Sequence, residues 1–223
     1  MTHCHMTSRH KKEEVIMPKD TFFNLALPKK ARLFAAISHE FSTKSFDDSA
    51  ISEIIESAGI PRGSFYQYFD DKLDCYLYFV GQIQKERNEL YLTILKKTDG
   101  DLFEASKQFF ASNIMDVLEG SHSKFYQTMI EAHDFRLQKS LGHGNIHQLT
   151  QELYEQTNLS LLRIKSFEEF SDLVSLMLSI FFKSVGNYFH LQRKKEDSIS
   201  VIAVQEKCLK MLSWLQYGVT KIN

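Results

Sequence analysis

Pro61 is the last proline of the chain, and residues 62–223 contain none. Proline breaks helix interiors, because it lacks the amide hydrogen and its ring clashes with the preceding turn. Through that proline-free stretch apolar residues recur at steps of three and four. The combination predicts a long all-α body. Gly100, Gly120, Gly142 and Gly144 fall between periodic runs and mark breaks, whereas Gly81 and Gly186 lie inside runs and suggest close helix contacts. About nine helices are expected. The first starts near Pro28, with Leu33, Phe34, Ile37 and Phe41 on one face. The others cover about 49–57, 61–68, 71–96, 101–119, 121–138, 145–165, 167–193 and 197–217. The chain then divides into a flexible polar arm (1–27), a small head (28–74) and a large body (75–223). Met17 opens the more structured-looking part of the arm, so translation is expected to begin there.

Charge and cysteine content narrow the function classes. Net charge is −1, and basic and acidic residues balance within residues 1–72, so total charge gives no sign of a polyanionic partner. Cys4, Cys75 and Cys208 are too few and too far apart for a disulfide framework, which fits a cytoplasmic protein. The most apolar stretch, 173–182, falls short of the roughly 20 residues that a membrane span needs. No nucleophile elbow, phosphate loop, dinucleotide fingerprint or paired-histidine zinc motif occurs, so no catalytic residue and no cofactor is assigned. His143 and His147 have helical i,i+4 spacing but sit among glycines without a further ligand, so no metal site is assigned.

The stretch 51–72, ISEIIESAGIPRGSFYQYFDDK, carries the chemistry. Gly59 is free to adopt positive φ and end one helix. Ile60 fills the corner, and Pro61 starts the next helix without losing a hydrogen bond. Two short helices around such a turn form a helix-turn-helix, whose second helix enters the major groove. Between Ser57 and Phe69 there is no acid, and Arg62 is the one charge. Gly63 allows close approach to DNA. Ser64, Tyr66, Gln67 and Tyr68 supply uncharged donors, and Lys72 is in reach of a phosphate. Phe65 and Phe69 face inward.

These residues resemble the tetracycline-repressor (TetR) family. The resemblance spans about 28–76 and rests on Phe41, Ile54, Ala58-Gly59-Ile60, Gly63-Ser64-Phe65-Tyr66, Tyr68-Phe69 and Lys72. It implies a three-helix DNA-binding head, a long linker helix, and a ligand-binding body whose last two helices pair with a second subunit. By position, Arg62, Gly63, Ser64, Tyr66, Gln67 and Lys72 become DNA contacts, with Thr43 and Lys44 as phosphate contacts. The chain departs from the family where Ala50 replaces a usual threonine and where Asp47 and Asp48 add negative charge. Those departures motivate an alternative: a helical protein-interaction module with a degenerate head.

Two further expectations concern the body. Phe170, Val174, Met177, Phe181 and Val185, with Val204, Cys208, Met211 and Leu215, form apolar stripes suited to a homodimer interface. Tyr78, Phe109, Phe110, Phe125, Tyr126, Met129 and His133 are candidate walls for a small apolar or aromatic effector. The implied function is that of a dimeric regulator, a repressor of its operator, released by that effector.

Overall fold

The computed structural model describes residues 18–131, 144–194 and 199–219. Among them are ten α-helices and no strand. We number them α1 (Asp20–Phe23), α2 (Leu27–Thr43), α3 (Ile51–Ala58), α4 (Arg62–Tyr68), α5 (Lys72–Lys97), α6 (Leu102–Glu119), α7 (Ser123–Glu131), α8 (Gly144–Gln156), α9 (Phe167–Lys194) and α10 (Val201–Tyr217). One 3-10 turn, Leu159–Leu161, follows α8.

Short-range chemistry sets many of the ends. Asp71, Asp101 and Ser200 cap α5, α6 and α10 by accepting from the amides of Asp74, Glu104 and Ala203. The α5–α6 corner turns on two left-handed residues, Asp99 (φ 53°) and Gly100 (φ 78°). A Cβ at Gly100 would lie 2.7 Å from the Asn158 amide nitrogen, so glycine is required for close approach as well as for φ. The Gly100 carbonyl accepts from that same amide at 2.9 Å, which ties the corner to the end of α8. The expected helix over 145–165 stops early for a local reason. Asn158 turns its side chain onto the Ser160 amide and hydroxyl and starts the 3-10 turn. Gly81 marks no close contact, since nothing lies within 4 Å of a Cβ built there.

Two apolar clusters organise the molecule. One joins α2 to α4 with the first half of α5, around Leu33, Ile37, Phe41, Ile54, Phe65, Phe69 and Phe79. It also takes in Phe22 of α1 and Phe125 of α7. Residues 18–23 are therefore part of the head rather than of a flexible arm, because Phe22 is completely buried there. A buried phenylalanine side chain contributes about 1.5–3 kcal/mol, enough to hold a four-residue helix in place. The other cluster lies among α6, α9 and α10, around Phe110, Ile114, Phe170, Val174, Val185, Cys208 and Leu212. Helix α5 runs through both, with Phe79 and Ile83 in the first and Tyr91 and Leu95 in the second. Among the described residues no helix is long and apolar enough to cross a membrane.

Candidate nucleic-acid interface

Helices α3 and α4 meet at a tight corner. Gly59 adopts φ 62°, ψ 42°, and two bonds close the end of α3: Gly59 N–H to the Glu56 carbonyl and Ile60 N–H to the Ile55 carbonyl. Ile60 is buried at the corner and Pro61 is the N-cap of α4. Helix α4 then splits into two faces. Phe65, Tyr68 and Phe69 enter the head core, while Arg62, Gly63, Tyr66 and Gln67 face outward and Ser64 is half-buried. The Arg62 guanidinium lies over the Tyr66 ring, 5.7 Å from its centroid, and donates to the Tyr66 hydroxyl at 3.3 Å. No Cβ at Gly63 would meet anything within 4 Å, so that stretch of backbone is open to an approaching surface.

The flanking residues are arranged differently from their sequence reading. Tyr68, expected at the DNA, is 4% exposed because its ring packs against Phe22. Lys72, also expected at a phosphate, donates to the carbonyls of Phe46 (2.7 Å), Ser49 (2.9 Å) and Asp47 (3.4 Å). It brackets the α2–α3 loop, and its ammonium lies over the Phe46 ring. Thr43 is exposed and donates to the His39 carbonyl. Lys44 pairs with Glu40 at 3.0 Å, and that hydrogen bond holds the lysine pKa above its ordinary value. Sequence reasoning missed Glu40: buried, its Oε1 also accepts from the Ala50 amide ahead of α3. It likewise missed Lys29 and Lys30, in the first turn of α2. The Lys29 ammonium lies over the Tyr68 ring of α4, and the Lys30 ammonium over the Phe22 and Phe23 rings of α1. Their Lys-Lys pairing after Pro28 was the available signal.

The expected effector walls do not converge. Tyr78, Phe125 and Met129 pack with the head cluster, and Tyr126 bridges both clusters. Phe109 stacks on Tyr91 at 4.4 Å, and Phe110 packs on Phe181 deep in the body. Tyr91 is so enclosed that burial pushes its pKa to about 12. His133 lies outside the described residues, as does His143 of the histidine pair. The described residues do form a cleft of about 310 Å³ between α5 and α8. It is lined by Gly81, Gln84, Lys85, Asn88, Glu89, Leu92, Gln148, Leu149 and Glu152, with polar and apolar surface in equal measure.

The expected dimer stripe is corrected too. Phe170, Val174, Met177, Phe181, Val185, Val204 and Cys208 are buried within the single chain, and Met211 and Leu215 are half-buried. The seven buried residues belong to the body core that packs α9 and α10 onto α6, whereas Met211 and Leu215 keep an accessible side. On the outer sides of the same helices, Leu176, Phe182, Ile202, Trp214 and Tyr217 are exposed.

A two-turn helix with an acid-free outer face, set on a glycine corner above a small aromatic core, defines a helix-turn-helix DNA-binding regulator. Comparison with known proteins gives the narrower assignment. The profile of bacterial regulatory proteins of the tetR family matches residues 33–79, and that of the tetracyclin repressor-like C-terminal domain matches residues 101–219. The chain belongs to the TetR family of transcriptional regulators. It is also 44% identical over 43 residues to an uncharacterized HTH-type transcriptional regulator, YdgC, of Bacillus subtilis (strain 168). That match spans 19% of this chain and 22% of the relative. Among solved structures, a tetR-family regulator from Streptomyces coelicolor superposes with TM-score 0.64 at 17% identity, covering 86% of this chain and 81% of the other. One from Pectobacterium atrosepticum gives 0.57 at 19%, covering 84% and 92%. One from Chloroflexus aurantiacus J-10-FL gives 0.50 at 24%, covering 91% and 98%. These likenesses establish the shared fold.

Proposed function

We infer that the chain acts as a cytoplasmic, dimeric repressor that reads a two-fold operator with paired α4 helices. The observation that carries this is the outer face of α4: Arg62, Gly63, Tyr66 and Gln67 exposed together with no carboxylate among them. Two copies of α4 lie in successive major grooves, with half-site centres about 34–36 Å apart. Support for the dimer comes from the apolar side chains left uncovered on α9 and α10. The α5–α8 cleft supports an effector position, because it abuts the helix that runs from head to body. Such an effector shifts α4 spacing only by binding the two arrangements with unequal affinity.

Gel shifts with DNA flanking the gene test this reading. Tyr66→Ala is expected to weaken binding about 5- to 150-fold, the effect of losing about 1–3 kcal/mol of base or phosphate contact, with thermal melting unchanged. Affinity is expected to fall steeply with salt as phosphate contacts release counterions. The alternative, a protein-interaction module with a degenerate head, requires no salt-sensitive DNA binding at all. Unaltered affinity in both Tyr66→Ala and Arg62→Ala would remove α4 from the mechanism.

A further inference from the structure

The last carbonyls of an α-helix have no partner inside the helix. In α4 this matters more than usual. The helix has seven residues, contains Gly63, and has no side-chain cap at its start. A helix this short does not hold its shape alone.

The open end of α4 is closed by the segment just before α2. Lys19 Nζ donates to the Tyr66 carbonyl at 2.9 Å, the Thr21 hydroxyl donates to the Gln67 carbonyl, and the Lys19 amide donates to the Tyr68 carbonyl at 2.9 Å. Three successive carbonyls are thus satisfied by two residues far away in sequence. Lys19 also pairs with Asp70 at 2.6 Å, and its charge complements the helix dipole. Behind them Pro18 is buried, and the Phe22 ring packs against Tyr68, Phe69 and Tyr78 with centroids 6.3, 5.3 and 4.9 Å away. This segment precedes the family match at 33–79, so family membership assigns it no role.

We propose that Lys19, Thr21 and Phe22 are positioning residues for DNA recognition, forming a clamp that fixes α4 by its main chain. The proposal rests on the reading of α4 as the recognition helix. The clamp grips carbonyls and the inner aromatic face, so Arg62, Tyr66 and Gln67 remain exposed. Base readout depends on fixed helix geometry, whereas phosphate attraction tolerates a loosened helix. Loss of the clamp therefore costs sequence-specific affinity before it costs general affinity.

The test uses the full chain with Lys19→Met, Thr21→Val, both together, and Lys19→Arg. Amide hydrogen exchange is read by mass spectrometry in the free protein. In the double variant, exchange across α4 is expected to rise about tenfold or more, as local hydrogen bonds are lost, with α6 and α9 unchanged. Unaltered exchange in α4 overturns the clamp. Binding is then measured on a duplex that the wild-type protein enriches from a random-sequence library, and on a scrambled duplex. Affinity for the enriched duplex is expected to fall about tenfold, and for the scrambled one less than about threefold, with Lys19→Arg close to wild type. Equal losses on both duplexes overturn the positioning role and make Lys19 a phosphate contact. If the wild-type protein enriches no sequence, the recognition reading itself falls, and the exchange result still decides whether the clamp holds α4.

Discussion

The Lys72 ammonium is a hub at the scale of one residue. Three carbonyls of the loop that joins α2 to α3 converge on it, and that of Phe46 also accepts from the Ser49 hydroxyl at 2.7 Å. A half-buried cation bonded to several carbonyls is costly to remove, because the part-buried Phe46 and Ser49 oxygens each lose a charged donor. Lys72→Met is expected to destabilise the protein by about 1–3 kcal/mol, read as a lower denaturation midpoint. The salt dependence of DNA binding distinguishes this from a phosphate contact. A lost phosphate contact lowers the slope by about one, whereas a structural bracket leaves it unchanged. A reduced slope with unaltered stability would return Lys72 to the DNA. Glu40 follows the same logic from the opposite charge. Its carboxylate is buried because it accepts both from Lys44 and from the Ala50 amide, and so fixes the start of α3. Nothing within a few residues of Glu40 announces that role; it depends on the chain folding back ten residues later.

At the scale of elements, α7 couples head to body. Phe125 inserts its ring between Tyr76 and Phe79 of α5. His122, just before α7, shares a 2.7 Å hydrogen bond with Ser42 near the end of α2, and its ring lies edge-on to Phe79. Arg87 of α5 donates to Asp116 of α6 at 2.7 Å and also bonds Tyr126. Burial, followed by the nearby Arg87 charge, lowers the His122 pKa below its ordinary value, against the opposing pull of Glu86 and Asp116. The unfolded chain, with its histidine near 6.5, therefore binds more protons than the folded one below about pH 6.5. Stability from this group is whole above that pH. It declines as pH falls toward the lower folded value, and then levels off. Melting between pH 5 and pH 8 is expected to be flatter in His122→Gln than in wild type. Parallel curves would show that His122 is not the titrating group. The turn of α3 into α4 was legible in sequence because its signals, Gly59, Ile60 and Pro61, act within three residues. The packing of α7 was not, since Phe125 looks the same whether it serves the head or a cavity in the body. Periodicity also revealed the stripes on α9 and α10, but both sides of those helices are apolar in part. Which side faces α6 is decided by tertiary packing, not by spacing.

For the whole molecule, the question is what covers the side of α9 and α10 that the single chain leaves in water. Leu176 is 54% exposed, Phe182 51%, Ile202 62%, Trp214 48% and Tyr217 71%. Isolated exposed apolar residues are ordinary, but five large ones on two packed helices are a concentration of the kind that marks association. A two-fold partner brings the same surface to itself, and aromatic residues at such a centre carry most of the affinity. If the proposed dimer forms through these residues, Phe182→Glu with Trp214→Glu is expected to raise its dissociation constant about 30-fold or more, as loss of about 2 kcal/mol of contact requires. Sedimentation measures this directly, and circular dichroism should show the helices intact, because neither side chain serves the core of its own chain. The operator supplies a second readout. A monomer carries one α4, reaches one half-site, and loses the gain that two linked heads obtain from a two-fold sequence. A wild-type protein that sediments as a monomer at every concentration reached, yet still binds a two-fold duplex as tightly as the double variant does, would leave this surface without a role in recognition.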